Sequence, residues 1–409
     1  MQIAFRARGF AYIIFLWGLS SSGYSVGFRI PEQGTAAIAR GNAFTATADD
    51  PSAVYYNPAG ITQSDGVRNL LGVYTISLRA RVSLDTPAEK DHFTNTNGNW
   101  QVAPESYYTW HPDNKPFAFG LGIYVPYGFA VDYPDDTPIR NVAHKGKIAY
   151  TTFNLVGALQ LTRTLSLAIG PTISYSTATL EQGVIAKPDQ FKFDGAGMTA
   201  GFNAGIMWIP CPMHHFGLTY RSATRVDYSG HTYVNTYPFK AGGVTIPGVA
   251  TREDADAAID FPQTITAGYS FRPTPDWNFE FDVDWADWGS LNTATIHTTS
   301  GDLALPFNWR SSFMYEFGIT KQLSHGFHAS CGYTYSQKSV PSGSFDPGVP
   351  DTNRHVFSVG FGQNYERFNW NVAYQFIYGP PRTISEGTIS DGTYRFDAHA
   401  LSFSLGYKF

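Results

Sequence analysis

The last nine residues of this chain alternate strictly between apolar and polar side chains. The apolar set consists of Leu401, Phe403, Leu405, Tyr407 and Phe409. Because successive side chains of a strand point to opposite faces, this segment predicts a strand with one apolar and one polar side. Such a strand fits the edge of a soluble core, and it also fits the closing strand of an outer-membrane barrel, whose outward face meets lipid.

The composition favours the membrane. Only 15% of the residues are charged, against roughly a quarter in typical soluble domains. Aromatic residues make up 16% of the chain, and they form the girdles at both interfaces of transmembrane barrels. The net charge of -5 offers no basic surplus for nucleic acid. Cys211 and Cys331 lack the spacing of metal ligands, so we expect neither a metal nor another cofactor.

The amino terminus has the three-part layout of a secretory signal peptide over residues 1–25. Arg6 and Arg8 precede an apolar run over 10–19, and small residues follow up to Ser25, near which we expect cleavage. The run is shorter than the roughly 20 apolar residues that a helix needs to span a bilayer. The sequence therefore predicts an exported protein, either periplasmic, secreted or embedded in the outer membrane.

From residue 68 onward, fourteen stretches show apolar and polar residues with a period of two. In the clearest of them, Phe279, Phe281 and Val283 alternate with three carboxylates, Glu280, Asp282 and Asp284. Equally regular patterns run over 117–125, 313–319 and 368–376.

The connections between these stretches are alternately short and long. The short ones are His111–Lys115, Thr162–Thr164, Pro210–His214, Arg272–Asp276, Ser324–Gly326 and Tyr365–Arg367. The long ones are Asp85–Asn99, Pro134–Lys147, Leu180–Gly195, Gly230–Asp260, Thr293–Asn308, Lys338–Asn353 and Gly379–Gly392. Transmembrane barrels have short periplasmic turns and long outer loops. The chain is therefore predicted to be all-β: a 14-stranded antiparallel transmembrane β-barrel over 67–409, located in the bacterial outer membrane.

A barrel of this size encloses a lumen, and residues 26–66 are predicted to plug it. The segment from Pro31 to Arg40 has short-helix character. Asp50-Pro51 and Asn57-Pro58-Ala59 each place an N-cap residue before a proline at the first helical position. We expect a compact helical hatch inside the barrel; the alternative is an extension on the periplasmic side of the pore.

The hatch segment resembles that of the FadL family of outer-membrane transporters for long-chain fatty acids and other hydrophobic compounds. The resemblance rests on Gly27-Phe28, the stretches 34–43 and 48–53, and Asn57-Pro58-Ala59-Gly60-Ile61. It implies a monomeric, hatch-plugged barrel that passes hydrophobic ligands by diffusion, with Phe28 beside the ligand and Asn57, Pro58 and Ala59 in the gating hatch. The terminal Phe409 resembles the signal that is read by the bacterial barrel-assembly machinery, which we expect as a partner together with outer-membrane lipid. No catalytic residues are expected.

Pro126-Tyr127-Gly128 interrupts the third strand. Proline cannot donate to a strand ladder and glycine weakens it, so a bulge or a break in pairing is expected. By resemblance to the FadL family, these residues form an inward kink that opens the barrel wall sideways. A simple bulge near the barrel rim is the alternative.

The residues that would contact a ligand are less clearly marked. The fifth strand, over 165–180, contains no Lys or Arg that could bind a fatty-acid carboxylate, and it offers Thr177 and Thr179 instead. Arg221 on the seventh strand is a second candidate. Tyr237 and Phe239 lie in the long loop Gly230–Asp260, where the apolar residues suggest an outer capture groove.

Two other functions remain open from the sequence, a lipid hydrolase built on an outer-membrane barrel and a nonspecific porin. None of the eleven histidines lies in a recognisable nucleophile or metal motif, and His214-His215 lies in a predicted periplasmic turn. A helical plug would also argue against an open porin. We therefore predict a transport protein rather than an enzyme.

Overall fold

The protein is described from a computed structural model that covers residues 27–86, 93–98, 100–185, 187–241 and 244–409. The predicted signal peptide, residues 1–25, lies outside the described residues. Within the described ranges, no helix is long and apolar enough to cross a membrane.

Fourteen antiparallel strands form a closed barrel, as predicted. They are β1 (Gly66–Leu84), β2 (Trp100–His111), β3 (Phe117–Asp132), β4 (Lys145–Gln160), β5 (Leu165–Gln182), β6 (Gln190–Cys211), β7 (His214–Arg221 and Thr224–Asn235), β8 (Ala250–Phe261 and Thr264–Thr274), β9 (Trp277–Ala286), β10 (Ser312–Gln322), β11 (Phe327–Ser336), β12 (Arg354–Tyr365), β13 (Phe368–Ile384) and β14 (Gly392–Lys408). Each strand pairs with the next, and β14 returns to β1 over the register from Arg68↔Lys408 to Leu84↔Gly392.

The six short turns lie at one end of the barrel and the seven longer connections at the other. Two of the expected loops differ from the prediction. The region Gly230–Asp260 is largely strand, because β7 and β8 remain paired up to Asn235↔Ala250 and carry a small hairpin, Phe239–Ala241 with Val244–Ile246, at their tip. Most of Thr293–Asn308 is a second hairpin, Thr293–Thr298 with Gly301–Pro306, which pairs with β8.

The outward face of the barrel is apolar over the part that meets lipid. On β14, Leu401, Phe403 and Leu405 are each about half exposed, while the intervening Ser402 and Ser404 are buried inside. Both cysteines are free and exposed. A surface this apolar is stable in a bilayer and would be an association site in water.

The hatch fills the lumen and contacts the wall on several sides. Its helices are α1 (Thr35–Ile38), α2 (Ala53–Tyr56) and the 3₁₀ turn Pro58–Gln63. Asn57 caps that 3₁₀ turn by accepting from the Ala59 amide at 3.2 Å. Hydrogen bonds reach β14 from Thr35 and β6 from Asn57. The hatch therefore lies within the barrel and is not a periplasmic extension.

Glycines on the inward face of the wall let the hatch backbone approach closely. A Cβ at Gly332 on β11 would lie 2.1 Å from the carbonyl carbon of Arg40 and 2.2 Å from the amide nitrogen of Gly41. A Cβ at Gly360 on β12 would lie 2.3 Å from that of Ala39. Glycine inside a strand commonly marks a site where another backbone comes near.

We expect Gly332→Val to displace the hatch without preventing barrel formation. Valine favours strands, but its Cβ would overlap backbone atoms that cannot rotate away. The measurement is protease cleavage within the hatch of the folded protein, with heat-modifiable migration in gels as the check on the barrel. Gly157→Val is the matched control, because a Cβ at Gly157 meets no atom within 4 Å. Equal protection of both variants would contradict this interpretation.

Candidate functional site

The third strand, β3, stops pairing with β2 partway along the barrel wall. β3 pairs with β2 from Trp110↔Phe119 to Ser106↔Ile123, and the pairing ends there. Beyond this point β2 continues on β1, up to Trp100↔Ser77. The pairing of β3 with β4 continues but shifts register between Tyr124 and Tyr127. The interruption at Pro126-Tyr127-Gly128 is thus a bulge on the β4 side and a loss of pairing on the β2 side.

The amino-terminal hatch residues take the place of β2 on the free edge of β3. The Ile30 amide donates to the Pro126 carbonyl, and the Gly128 amide donates to the Phe28 carbonyl, both at 2.8 Å. The side-chain amide of Gln33 completes the edge: its Nε2 donates to the Val125 carbonyl at 2.7 Å, and its Oε1 accepts from the Val125 amide at 3.1 Å. Unpaired backbone groups in a membrane wall are strongly unfavourable, so the hatch stabilises the kink.

The parting of β2 and β3 leaves a window in the barrel wall. A cavity of about 500 Å³ lies there, lined by Leu78, Trp100, Val102, Ala130, Val131, Lys147 and Thr179 among others. The segment Thr96–Gly98 closes its outer end. The Asn97 amide donates to the Asp132 carbonyl at 2.7 Å, and the Thr96 amide donates to the Ala80 carbonyl at 2.9 Å. These two backbone hydrogen bonds tie the outer end of the window to β1 and β3.

Phe28 is buried in an aromatic cluster in the outer half of the lumen. Its ring stacks on Phe129 of β3, with centroids 5.4 Å apart. It also contacts Trp288 at 5.5 Å and Trp309 at 4.7 Å. Tyr127 joins the same cluster through Phe261, Tyr150 and Trp288. Displacement of Phe28 would leave an apolar, aromatic-lined space next to the kink.

The three carboxylates of β9 hold the hatch to the wall. Asp282 accepts from the amides of Phe44 and Thr45 at 3.0 and 2.8 Å. Glu280 accepts from the amides of Ala46 and Thr47 and pairs with Arg40 at 3.2 Å. The alternation in β9 brings all three acids to the lumenal face, where each of them binds groups of the hatch.

The third acid of β9, Asp284, pairs with Arg29. The guanidinium Nη2 lies 2.7 Å from the carboxylate, and both side chains are buried. Thr266 donates a further hydrogen bond to Asp284. Because Arg29 lies between Phe28 and Ile30, this pair fixes the segment that completes the edge of β3. Breaking a buried pair strands a charge in a low-dielectric site, typically at about 3–5 kcal/mol.

Asn57, Pro58 and Ala59 connect the hatch to the opposite wall. The Asn57 amide group donates to the carbonyls of Thr45 and Ile206, at 2.8 and 3.0 Å. Gly205 on β6 accommodates them, since a Cβ there would overlap both Asn57 and Pro58. These three residues thus tie two parts of the hatch together and to β6.

The other candidate residues do not meet in one site. Arg221 faces the lumen, but its guanidinium is engaged by the Tyr124 hydroxyl, the Tyr55 carbonyl and the Tyr55 ring. Thr177 and Thr179 lie on the outward face of β5, because the buried Ser176 and Ala178 alternate with them.

Tyr237 and Phe239 lie in the outer connection of β7 and β8, far along the chain from the hatch. Tyr237 is half exposed, and its amide donates to Asp189. Phe239 pairs with Ile246 in the small hairpin. They belong to an exposed apolar surface and not to the lumenal cluster.

Several important residues were missed from the sequence. Gln33, Arg29 and Glu32 act through contacts with strands that are distant in the chain, and their neighbours give no local indication of this. The inward glycines did carry a usable pattern, because Gly120, Gly122 and others stand at alternate positions in otherwise apolar strands. Among the described residues, no group of three or more His, Cys, Asp or Glu could hold a metal ion.

A barrel with an internal hatch and a window beside a kinked strand defines a class of plugged outer-membrane channels. The chain belongs to the family described as "Outer membrane protein transport protein (OMPP1/FadL/TodX)", whose profile matches residues 18–409. Members of this family are transport proteins of the bacterial outer membrane, and this chain is one of them rather than an enzyme.

Individual relatives are similar over nearly their full length. The long-chain fatty acid transport protein of Escherichia coli (strain K12) is 22% identical over 438 residues, covering 96% of this chain and 95% of that protein. A Pseudomonas aeruginosa FadL homologue has a TM-score of 0.82 at 19% identity, covering 94% of this chain and 100% of the other. The Pseudomonas putida toluene transporter TodX has a TM-score of 0.76 at 15% identity, with the same coverage of 94% and 100%.

We expect the seated hatch to loosen as the pH rises from about 4.5 to about 7. Burial raises the pKa of Glu32 from 4.5 to about 7, with Asn42 as its hydrogen-bond partner and Arg29 and Arg354 nearby. A displaced Glu32 in water loses its proton near 4.5, so seating is favoured most below that pH, weakens up to about 7 and is constant above. The two pKa values correspond to about 3 kcal/mol.

The measurement is protease access to the hatch, or channel conductance, between pH 4.5 and 8. Glu32→Gln keeps the hydrogen-bonding shape without an ionisable proton, so its hatch should stay protected across this range. A variant whose pH profile matched that of the wild type would show that Glu32 does not control the seating.

Proposed function

We propose that this protein takes up long-chain fatty acids or other hydrophobic compounds by passive diffusion and releases them through the window between β2 and β3. The observation that carries the proposal is the exchange of partners on β3, where hatch residues replace β2 on the strand edge. The names of its relatives, a long-chain fatty acid transport protein and a toluene transporter, support this class of substrate.

Capture would begin on the outer loops. The small hairpin above β7 and β8 exposes Tyr237, Val244 and Ile246, and the β5–β6 connection exposes Val184 and Ile185 nearby. Asp189 links the two regions by accepting from the Tyr237 amide at 2.8 Å. An exposed apolar surface of this kind binds hydrophobic solutes, whose transfer from water is favourable by about 0.8 kcal/mol per CH₂.

The segment around Phe28 would act as the gate. A ligand that enters the aromatic cluster competes with the Phe28 ring for the same apolar space. Release of Phe28 and Ile30 would remove two backbone hydrogen bonds from the edge of β3 and unseat Arg29 from Asp284. Asn57, Pro58 and Ala59 would meanwhile keep the rest of the hatch on β6, so that the lumen stays closed to polar solutes.

The ligand would then leave sideways into the membrane. A straight path to the periplasm runs through the hatch, whose residues are nearly all buried against the wall. The window instead opens through the side of the barrel, where its lining combines apolar side chains of β2 and β3 with polar ones such as Lys147 and Thr179. An alkyl chain that follows this path never has to enter water as a free solute.

The other proposed partners follow from a barrel that releases its ligand sideways into the membrane. Outer-membrane lipid would receive the ligand, the protein would act as a monomer, and the barrel-assembly machinery would recognise the terminal strand that ends in Phe409. The packed hatch disfavours a nonspecific porin, because its residues are nearly all buried inside the barrel.

We expect Ala130→Trp to slow transport at least several-fold. Ala130 lines the window and lies on the outward side of β3 between the buried Phe129 and Val131, so an indole there would fill the opening without entering the lumen. The measurement is uptake of a labelled fatty acid or toluene by liposomes that contain the purified protein.

Ala200→Trp is the matched control, since Ala200 is an outward, exposed alanine on β6 that does not line the window. The control should transport at the wild-type rate. Equal rates for both variants would rule out the lateral path, whereas no uptake by the wild type would remove the transport proposal itself.

Lys147→Gln should slow a fatty acid more than the alcohol of the same chain length. Lys147 lines the window and, unlike Lys145 and Lys192, forms no ion pair with a described carboxylate. Its ammonium can therefore bind the carboxylate of a passing ligand. Competition uptake of acid against alcohol measures the preference, with Lys192→Gln as the control. An unchanged ratio would mean that Lys147 does not select for the acid.

A further inference from the structure

Three arginines lie together on the outward face of the barrel at the seam between β1 and β14. Arg79 and Arg81 alternate with the buried Leu78, Ala80 and Val82 of β1, so they point away from the lumen. Arg395 alternates in the same way with buried neighbours on β14. Cationic side chains on the lipid-facing side of a barrel are unfavourable within the hydrocarbon, but not at its interface with the headgroups.

Their height on the wall corresponds to the outer headgroup boundary. The outward series on β14 runs upward from the exposed Phe409 through Leu405, Phe403 and Leu401, and then through His399 and Asp397 to Arg395. Ten residues of a strand tilted by about 40° rise roughly 25 Å, which is the height of the apolar band of such barrels, and counted from Phe409 this height is reached at His399. Trp100 and Tyr378 are exposed beside the upper end of this series, as expected for the outer aromatic girdle. The arginines therefore begin where the acyl chains end.

The charges in this cluster are not balanced by the residues that the structure describes. Arg81 and Arg395 are direct cross-strand partners, and like charges at such positions destabilise a sheet. Asp397 pairs with Arg81. The Arg395 guanidinium stacks on the Phe93 ring, with its central carbon 4.5 Å from the ring centroid. Neither Arg79 nor Arg395 forms an ion pair with a described carboxylate, so the described side chains of the cluster carry more positive than negative charge and favour an anion.

A cavity of about 420 Å³ adjoins the arginines. It is lined by Arg79, Arg81, Asn95, Thr96, Asp397 and His399 among others. Guanidinium groups bind phosphate through paired hydrogen bonds, and the Asn95 and Thr96 side chains add polar groups at the same place. The cavity is large enough for a phosphorylated headgroup.

We propose that Arg79, Arg81 and Arg395 bind the phosphate groups of a lipid headgroup in the outer leaflet. A lipid fits better than free phosphate because the apolar residues Leu401 and Phe403 follow on the same outward face below His399 and Asp397, where acyl chains attached to the headgroup would pack. Binding of a phosphate between Arg81 and Arg395 also removes their mutual repulsion. This inference is independent of what the channel transports.

The lipid site and the lateral window are neighbours. Leu78 and Thr96 line both cavities. Thr96 also belongs to the segment that closes the outer end of the window. A bound headgroup would therefore contact the segment Thr96–Gly98 at the outer end of the window.

The test is binding of diphosphoryl lipid A to the purified full chain in detergent, followed by native mass spectrometry. Dephosphorylated lipid A and inorganic phosphate serve as the comparison ligands. We expect the double variant Arg79→Gln/Arg395→Gln to bind diphosphoryl lipid A at least about tenfold more weakly than the wild type, since it loses two charge-assisted contacts. Arg225→Gln is the control, because Arg225 is an outward arginine already paired with Asp227 and Asp260.

Three results would overturn the proposal: equal binding by the double variant, equal binding of the dephosphorylated lipid, or inorganic phosphate that binds with the same dependence on the arginines. A second measurement separates recognition from a purely structural role. Without lipid A, Arg395→Gln should unfold at the wild-type temperature or higher, because the repulsion from Arg81 is gone. With lipid A, it should unfold at a lower temperature than the wild type. A loss of stability of the same size in both conditions would also contradict lipid recognition.

Discussion

The free edge of β3 is the constraint on which the rest of the site depends. A transmembrane wall tolerates no unpaired backbone, yet β2 stops pairing with β3 at Ser106↔Ile123. The chain satisfies that edge with the main chain of Phe28 and Ile30 and with the side chain of Gln33. The same residues fill the aromatic cluster and, through Arg29, reach Asp284 across the lumen. A movement of this segment would therefore change the edge of β3 at the window, because one short stretch of chain forms part of the strand edge, the aromatic cluster and the buried ion pair.

The hatch combines close packing with bonds that can be exchanged. Glycines on the wall bring its backbone against β11 and β12, and the acids of β9 accept from a run of hatch amides, which are the groups that a loop without regular structure would leave unpaired. Around Phe28 the contacts are different in kind, since they consist of ring stacking and two main-chain hydrogen bonds. Ring contacts are worth about 0.5–1.5 kcal/mol each beyond their area, and a hydrophobic ligand can replace them with contacts of the same type. The architecture thus separates a fixed part, anchored at Asn57 and β9, from an exchangeable part at the amino terminus.

The outward face of the barrel, like the lumen, has residues that a simple lipid-facing wall does not require. A lipid-facing surface needs only to be apolar, and most of β14 meets that requirement. The arginines at the upper end of the β1–β14 seam are not needed for this purpose, because two of them face each other directly and a single ion pair, that of Arg81 with Asp397, joins them to a carboxylate that the structure describes. These arginines lie beside the segment Thr96–Gly98, which closes the outer end of the window, so a lipid bound to them would lie next to the lateral opening. A channel that releases its ligand into the outer leaflet would have its exit beside a lipid that the wall itself holds.

Much of the fold could be predicted because it depends on local, periodic properties. Alternation in stretches such as 279–285 determined the strands, the order of short and long connections determined the barrel and its orientation, and the Asn57-Pro58 cap marked the hatch. The sequence did not predict features that depend on which face of a strand a residue occupies or on contacts between residues that are distant in the chain. The strand phase turns Thr177 and Thr179 outward, which puts Thr179 at the window and not in the lumen, and a shift of one residue reverses the face of every side chain. Arg221 does face the lumen, yet Tyr55 and Tyr124 occupy it. The sequence by itself determined a plugged barrel whose third strand is interrupted at Pro126. Only the tertiary structure decided that residues 28–33 pair with the free edge of that strand. The physical reason is distance along the chain: the contact between Arg29 and Asp284 spans 255 positions, and the residues around each of them give no local indication of it.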